Sequence, residues 1–422
     1  MLADRRPILV PVPQQCGHDQ HANFVEYLST CPGMELHRST VVDVACTQPS
    51  EDVYSGDVRL RQSVELKFGD FVAYFQAKAA GTSHWLMDTE NDLHFYLAQC
   101  PLFSTSTDVP AVLPHLLPAM ASLRPPILDN IQLTQINLWM TIASSDTSVH
   151  YDAYENVLHV LQGTKCVRLY PPSATPVIQA HAIYSKSSNH TTLSLAQTQA
   201  LPDFIEFDVH ANMALYIPEG WWHQVRPDRR YLVRSEPLTV AMNYWFDGMR
   251  PTLVAQPAMV PYYARVLVED LVRTARLKAV HATIAQSRQR LLNKGVLARL
   301  TSVDALEAFV VNAKGGTDKE DALLTAPPTL LYSLILRLSE RQPSVWSAML
   351  EEASVELVEF LTDAWDDHDA LSRHSNGSSP PAYFAAVFAC CDFDVQEVLL
   401  AKKDAFGRQS ARHVMASMFG FE

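Results

Sequence analysis

The chain has 422 residues, 48% of them hydrophobic, with 46 acidic against 33 basic side chains and a formal net charge of −13. That length and apolar fraction suit two domains or one elaborated domain with a sizeable core, while the negative balance disfavours DNA and other polyanions, a local basic patch aside. Seven scattered cysteines without a CxxC or zinc-type spacing point to a reducing compartment; no apolar run is long enough for a bilayer and residues 1–13 do not make a secretory signal, so the expected setting is cytoplasm, nucleus or both, with no membrane partner.

Residues 1–125 read as mixed α/β elements packing on a β-rich core. Residues 24–31 and 68–80 predict helices, 41–45 and 64–67 strands, and 101–126 a proline-rich wrapping connection or short helices. From 126 to 250 short β-rich runs succeed one another, at 134–142, 149–152, 157–161, 166–170, 204–209, 214–217, 223–226 and 238–246. Turn signals such as Gln162-Gly163, Pro171-Pro172 and Pro218-Glu219-Gly220 separate them. Many short strands predict a mainly β core, a closed or nearly closed antiparallel jelly roll. Residues 173–202 read as a long insertion between its halves, at the mouth where loops shape sites.

Residues 251–422 predict a helical region. A helix over 261–300 has a basic exposed face (Arg265, Arg273, Arg276, Lys278, Arg288, Arg290 and Lys294), and helices are also expected over 329–338 and 345–365, the latter acidic. Linkers are expected at 314–317 and 375–381, and Cys390-Cys391 as core. The basic and acidic helices pair with each other, pair with a second subunit, or are simply solvated faces.

The stretch Thr147-Ser148-Val149-His150-Tyr151-Asp152 carries a His-x-Asp pair. On a strand that spacing puts imidazole and carboxylate on one face. His223, in Ile217-Pro218-Glu219-Gly220-Trp221-Trp222-His223, completes two histidines and one carboxylate. Such a set holds one face of an octahedral Fe(II) and leaves positions open for cosubstrate and O2. Alone, the pair is a common coincidence, so its surroundings decide. Asn156, Leu158 and Val160 share a face and His159 points the other way, which argues against His159 as a ligand. After the turn, Lys165, Val167 and Leu169 share a face. If that face is interior, the lysine needs an anion, which a dicarboxylate cosubstrate supplies; if it merely continues from the turn, it faces solvent, and the spacing leaves both open.

The run His150-Tyr151-Asp152-Ala153-Tyr154-Glu155-Asn156, continuing through Gly163-Thr164-Lys165 to Tyr170-Pro171-Pro172, resembles the JmjC-type Fe(II)/2-oxoglutarate-dependent oxygenases. It is similar to the small branch that includes the asparaginyl hydroxylase of hypoxia-inducible factor and the tRNA wybutosine hydroxylase. Leu215-Tyr216-Ile217-Pro218 with Trp221-Trp222-His223 resembles the second ligand motif, Asn243-Tyr244-Trp245-Phe246 the closing strand, and Tyr96-Leu97-Ala98-Gln99 the segment whose tyrosine reaches the cosubstrate. The likeness runs from Leu93 to Gly248. It implies a cupin-like double-stranded β-helix, with iron held by His150, Asp152 and His223. It further implies a salt bridge from Lys165 to the distal carboxylate, hydroxyl help from Thr147 and Tyr96, Asn156 and Asn243 as polar groups near cosubstrate or iron, and Trp139 lining the substrate pocket. Tyr96 and Trp139 also read as plain core aromatics, and Asn243 as a strand cap. The chain departs from the family at Asn212-Met213, where Gly-Asp is usual. Asparagine tolerates the left-handed turn, whereas methionine loses a carboxylate.

The implied reaction consumes 2-oxoglutarate and O2, releases succinate and CO2, and hydroxylates a protein or RNA substrate. Asp152 argues against halogenation, because the related halogenases lack that carboxylate. Many JmjC lysine demethylases, though not all, carry glutamate there, which leans the reading towards stable hydroxylation. The alternatives are a JmjC lysine demethylase, a non-catalytic cupin-fold binding protein, and a cupin metal enzyme that does not use 2-oxoglutarate. By analogy with relatives, the C-terminal helices would form a homodimer interface.

Overall fold

The β-rich texture becomes two antiparallel sheets packed face to face. The computed structural model describes residues 5–13, 23–47, 53–54, 62–87, 93–107, 109–141, 146–185, 187–227, 238–248, 259–362, 391 and 393–420. Its strands are β1 (Ile8–Pro11), β2 (Val41–Thr47), β3 (Val53–Tyr54), β4 (Gln62–Lys67), β5 (His94–Ser104), β6 (Gln135–Thr141) and β7 (Asp146–Thr147). They continue as β8 (Glu155–Gln162), β9 (Thr164–Tyr170), β10 (Ile205–His210), β11 (Met213–Ile217), β12 (Trp222–Pro227) and β13 (Thr239–Phe246). The large sheet has the order β1-β11-β8-β13-β6-β5-β2-β4 and the small one β10-β9-β12, while β3 and β7 form a parallel pair. This is an open, cupin-like jelly roll; the described strands do not close into a barrel.

Both faces of the large sheet are covered, which is why its strands read as continuous apolar runs. Leu158, Val160, Leu215, Ile217 and Ala241 meet Val167, Leu169 and Val209 of the small sheet. On the other face, Val157, Tyr216, Met242 and Tyr244 pack with Leu28, Phe71 and Phe75 of the N-terminal helices Phe24–Thr30 and Phe68–Ala80. The β8–β9 hairpin turns at Gly163, with φ +79°, where an added Cβ would lie 2.4 Å from the Leu238 carbonyl oxygen. Asn212 takes φ 65° between β10 and β11, so the atypical turn keeps its left-handed residue.

Several elements differ from expectation. Residues 149–152 are not a regular strand: within them only His150 forms isolated antiparallel bridges, to His223 and to His190. The strand β1 is not among those the sequence pattern predicts. Residues 101–126 begin as the bulged end of β5 and then coil into short helical turns. The insertion 173–202 carries the short helices Thr175–Ile178 and Leu195–Gln199 and a bridge between Ala180 and Thr191.

The chain divides into two compact units, Met1–Ala182 with Lys186–Ala264, and Ile183–Ser185 with Arg265–Glu422. The second is helical and has its own core, with Trp346, Leu334, Ile335 and Leu338 at its centre. The expected helix over 345–365 is two helices, Pro343–Glu352 and one over 355–362, separated where Ser354 caps the second through its hydroxyl and the Leu357 N–H. Residues 363–365, the linker at 375–381, Cys16 and Cys390 lie outside the described residues. The stretch 314–317 is a tight turn, with helix resuming at Gly316. Basic residues of the helix Val260–Asn293 and of the residue that follows it are paired within the second unit: Arg276 with Glu359, Arg290 with Asp321 and Lys294 with Asp318.

Candidate metal centre

His150 and His223 face each other across an antiparallel bridge. Each donates its backbone N–H to the other's carbonyl, at 3.0 and 2.7 Å. A directly opposed pair puts its side chains side by side on one face, and the two ring centroids are 4.3 Å apart. Each ring donates Nδ1–H to a nearby carbonyl, His150 to Ser148 at 2.8 Å and His223 to Trp221 at 3.0 Å. That choice of tautomer leaves both Nε2 lone pairs free for a metal. Burial, with the neighbouring His150, pushes His223 down to about 4, so its ring is neutral near pH 7.

Asp152 completes the set. One ligand atom from each of His150, Asp152 and His223 lies within 4.8 Å of the others. The Asp152 Oδ2 is 3.7 Å from the His223 Nε2, too far for a hydrogen bond and a spacing at which both atoms could reach one cation. Asn156 Nδ2 donates to the same oxygen at 3.2 Å, and the Gly220 N–H donates to the Asp152 carbonyl at 3.1 Å. Gly220, at φ +77°, packs flat against Tyr262, and a Cβ there would lie 2.6 Å from the ring. His159 lies on the opposite, helix-covered side of β8, buried, with its ring pushed down to about 4 by desolvation.

Lys165 lies on the interior face with Val167 and Leu169, 5% exposed. Among the described residues no carboxylate pairs with it. Its Nζ sits 5.6 Å over the Tyr96 ring, and burial pushes its pKa down to about 8. Among the described residues this interior ammonium has no anion, a costly arrangement unless a ligand provides one. Lys165 is four residues along β9 from Leu169, the register partner of His223, or about 13 Å at the rise of a strand. A metal-chelated keto-diacid and the lysine side chain would fill that interval from its two ends.

Tyr96, Trp139 and Asn243 converge beside Lys165. The Tyr96 and Trp139 rings are 5.8 Å apart, and Trp139 Nε1 donates to Asn243 Oδ1 at 3.0 Å. Asn243 thus serves a side chain across the sheet rather than a strand end. Thr147 is differently engaged: its hydroxyl accepts from the Val225 N–H at 2.9 Å and donates to the Val225 carbonyl at 3.3 Å.

Two residues that the sequence motifs do not single out also belong here. Asn137 lies two residues before Trp139 on β6, hence on the same face, fully buried, and accepts from Gln135 Nε2 at 2.6 Å. Asn137 Nδ2, Asn156 Oδ1 and Trp245 Nε1 are buried without a hydrogen-bond partner. Period-two spacing from Trp139 makes Asn137 legible in retrospect. His190, from the insertion, stacks on His150 at 4.9 Å and meets the Ser148 hydroxyl at 2.8 Å; no local pattern announces it. The two nitrogens and one oxygen suit Fe(II) with open positions. The solitary ammonium and the two unpartnered donors, Asn137 Nδ2 and Trp245 Nε1, suit an anionic chelating cosubstrate.

A cupin-like domain profile matches residues 19–250, more than half of the chain. Lysine-specific demethylase JMJ31 of Arabidopsis thaliana is 28% identical over 302 residues, covering 66% of this chain and 53% of that protein. The human bifunctional peptidase and (3S)-lysyl hydroxylase JMJD7 is 25% identical over 170 residues, covering 33% and 51%. JmjC domain-containing protein E of Dictyostelium discoideum is 27% identical over 155 residues, covering 28% and 43%. The chain spans about half the length of the first two of these relatives. With its histidine–aspartate–histidine cluster on an open jelly roll, the chain belongs to the JmjC-type members of the cupin-like domain family.

Proposed function

We propose that the protein is an Fe(II)- and 2-oxoglutarate-dependent oxygenase that hydroxylates a protein substrate. The observation that carries this reading is Lys165, an interior ammonium with no anion among the described residues, lying along β9 from the converged His150, Asp152 and His223. Bound Fe(II) would supply the coupling of 2-oxoglutarate decarboxylation, to succinate and CO2, with O2-dependent hydroxylation of a C–H bond.

The protein's part is positioning. His150 and His223 present Nε2 with the tautomer set by their Nδ1 hydrogen bonds, and Asn156 turns the Asp152 carboxylate. Lys165, beside Tyr96, grips the distal carboxylate. Trp139 and Asn243 wall the pocket as a hydrogen-bonded pair. Val167, Leu169 and Leu158 exclude water and so strengthen each polar contact. Thr147 joins the cosubstrate site only if its hydroxyl gives up its 3.3 Å contact to Val225.

Protein is favoured over RNA on two grounds. Relatives are named for action on lysine, and the basic helix that would contact phosphates has Arg276, Arg290 and Lys294 engaged by acids. Lysine demethylation is the second reading, favoured by the name of the JMJ31 relative. No helix among the described residues is long and apolar enough to cross a membrane. A homodimer through the C-terminal helices remains part of the proposal by analogy with relatives, and light scattering tests it.

The test is succinate formation from 2-oxoglutarate with added Fe(II), wild type against Asp152→Ala. Mass spectrometry of candidate protein substrates then reads a gain of one oxygen for hydroxylation or a loss of a methyl group for demethylation. If no succinate forms and neither Fe(II) nor 2-oxoglutarate binds, the protein is a cupin-fold binding module instead.

A further inference from the structure

Beside the two segments that carry Asp152 and His223 lies a buried ionic cluster that the proposed reaction leaves unused. Arg5, 5% exposed, extends Nη2 to Glu155 Oε1 at 2.7 Å and Nη1 towards Glu219 Oε2 at 3.8 Å. Glu155 Oε2 accepts the Tyr216 hydroxyl at 2.7 Å and the Glu219 backbone N–H at 3.0 Å. Glu219 Oε1 accepts the Tyr262 hydroxyl at 2.8 Å. Glu155 opens β8 just after Asp152, and Glu219 sits in the turn before His223. The next residue, Gly220, donates to the Asp152 carbonyl. The cluster is therefore bonded into both ligand-bearing segments. Arg5 itself lies outside residues 19–250, the part that the family profile covers. It also holds a backbone φ of 44°, a strained value for a residue with a Cβ. Such strain persists where surrounding contacts over-determine it.

We propose that Arg5 is a positioning residue for the metal centre: its guanidinium clamps Glu155 and Glu219 and so fixes the distance between Asp152 and His223. The inference rests on the reading of His150, Asp152 and His223 as a metal site. Without the guanidinium, the buried Glu155 and Glu219 carboxylates lose the cation that lies between them, the costly half of a broken buried pair. They relieve the repulsion by moving apart or admitting water. Either response shifts the Glu219 turn and the Gly220 contact to Asp152. Metal affinity is sensitive to such outer supports, typically by about 10–100-fold. Lysine keeps the charge but not the planar fork that spans two carboxylates.

The test uses Co(II) as the probe, titrated into the full chain as wild type, Arg5→Met, Arg5→Lys and the double variant Arg5→Met/Glu219→Gln. Affinity and the visible ligand-field spectrum are read well below each variant's own melting temperature. Arg5→Met is expected to bind about 10–100-fold more weakly with an altered spectrum, and Arg5→Lys to fall between. The double variant should recover much of the loss, because Glu219→Gln removes one of the two charges that the guanidinium balanced. Should Arg5→Met not fold, Arg5→Lys and the double variant carry the comparison, and wild-type affinity and spectrum in Arg5→Lys overturn the proposal. A lowered melting temperature with the affinity and spectrum of the wild type overturns it too. Failure of the wild type to bind Co(II) overturns the metal reading and this inference together; tight wild-type binding matched by Arg5→Met overturns this inference alone.

Discussion

Lys165 turns the sequence pattern into chemistry. Periodicity could group it with Val167 and Leu169 but not say which side of the sheet was inside, because that depends on β10 and β12 packing over β9. Once it is inside, its titration becomes a prediction. Burial lowers its pKa from 10.5 to about 8. Between those values the unfolded chain holds a proton that the folded chain has lost, so this group's contribution to stability rises with pH across that window and is flat below it. In the proposed site, cosubstrate affinity would move the other way, since a neutral amine cannot balance a carboxylate. The dissociation constant for 2-oxoglutarate, measured by calorimetry from neutral to alkaline pH, should therefore rise above about pH 8 as the ammonium is lost. A flat profile would remove Lys165 from the site. Lys165→Ala should weaken binding by roughly 100-fold or more, as expected when one partner of a buried charge pair is deleted, while leaving Co(II) binding at His150, Asp152 and His223 intact.

At the scale of elements, the turn Pro218-Glu219-Gly220 was readable from composition, but its burden was not. Gly220 combines a left-handed backbone with a ring face where a side chain would go. Tyr262 cannot yield easily, being buried and tied to Glu219 through its hydroxyl. Gly220→Ala should cost about 1–3 kcal/mol from backbone strain alone and loosen the support of Asp152, reducing metal content. Chemical denaturation and metal analysis check both parts; unchanged stability would mean that the turn has room the geometry denies. Most strands of the jelly roll were legible because each presents a strong apolar run between turn residues. The failures share a cause in distant partners. Residues 149–152 have strand-like composition, yet only His150 pairs, because the flanking bonds go to Asn189 and Thr191 of the insertion. The expected helix over 345–365 breaks where the Ser354 N–H meets Glu320, a residue of another helix. β1 is four residues long and takes its place only by adding to β11.

At the scale of the whole molecule, each unit has its own apolar core. The first is built from both faces of the large sheet and the N-terminal helices, the second from helices around Trp346, and among the described residues none belongs to both cores. Two cores predict departure from a single all-or-none transition, and calorimetry should resolve two components. Trp346→Ala deletes the largest fully buried side chain of the helical core and should lower that unit's component by about 3–5 kcal/mol. On the proposed metal reading, Co(II) would bind the unit that holds His150, Asp152 and His223. At a hundredfold excess over its dissociation constant it should raise that component by about 2.7 kcal/mol, because a ligand of the native state stabilises by mass action. The paired measurement is the informative one: the substitution should move one component and the metal the other. If both perturbations shift one common transition by the sum of their effects, the units unfold as one body, and the helical region is part of the folding of the metal centre rather than a separate unit attached to it.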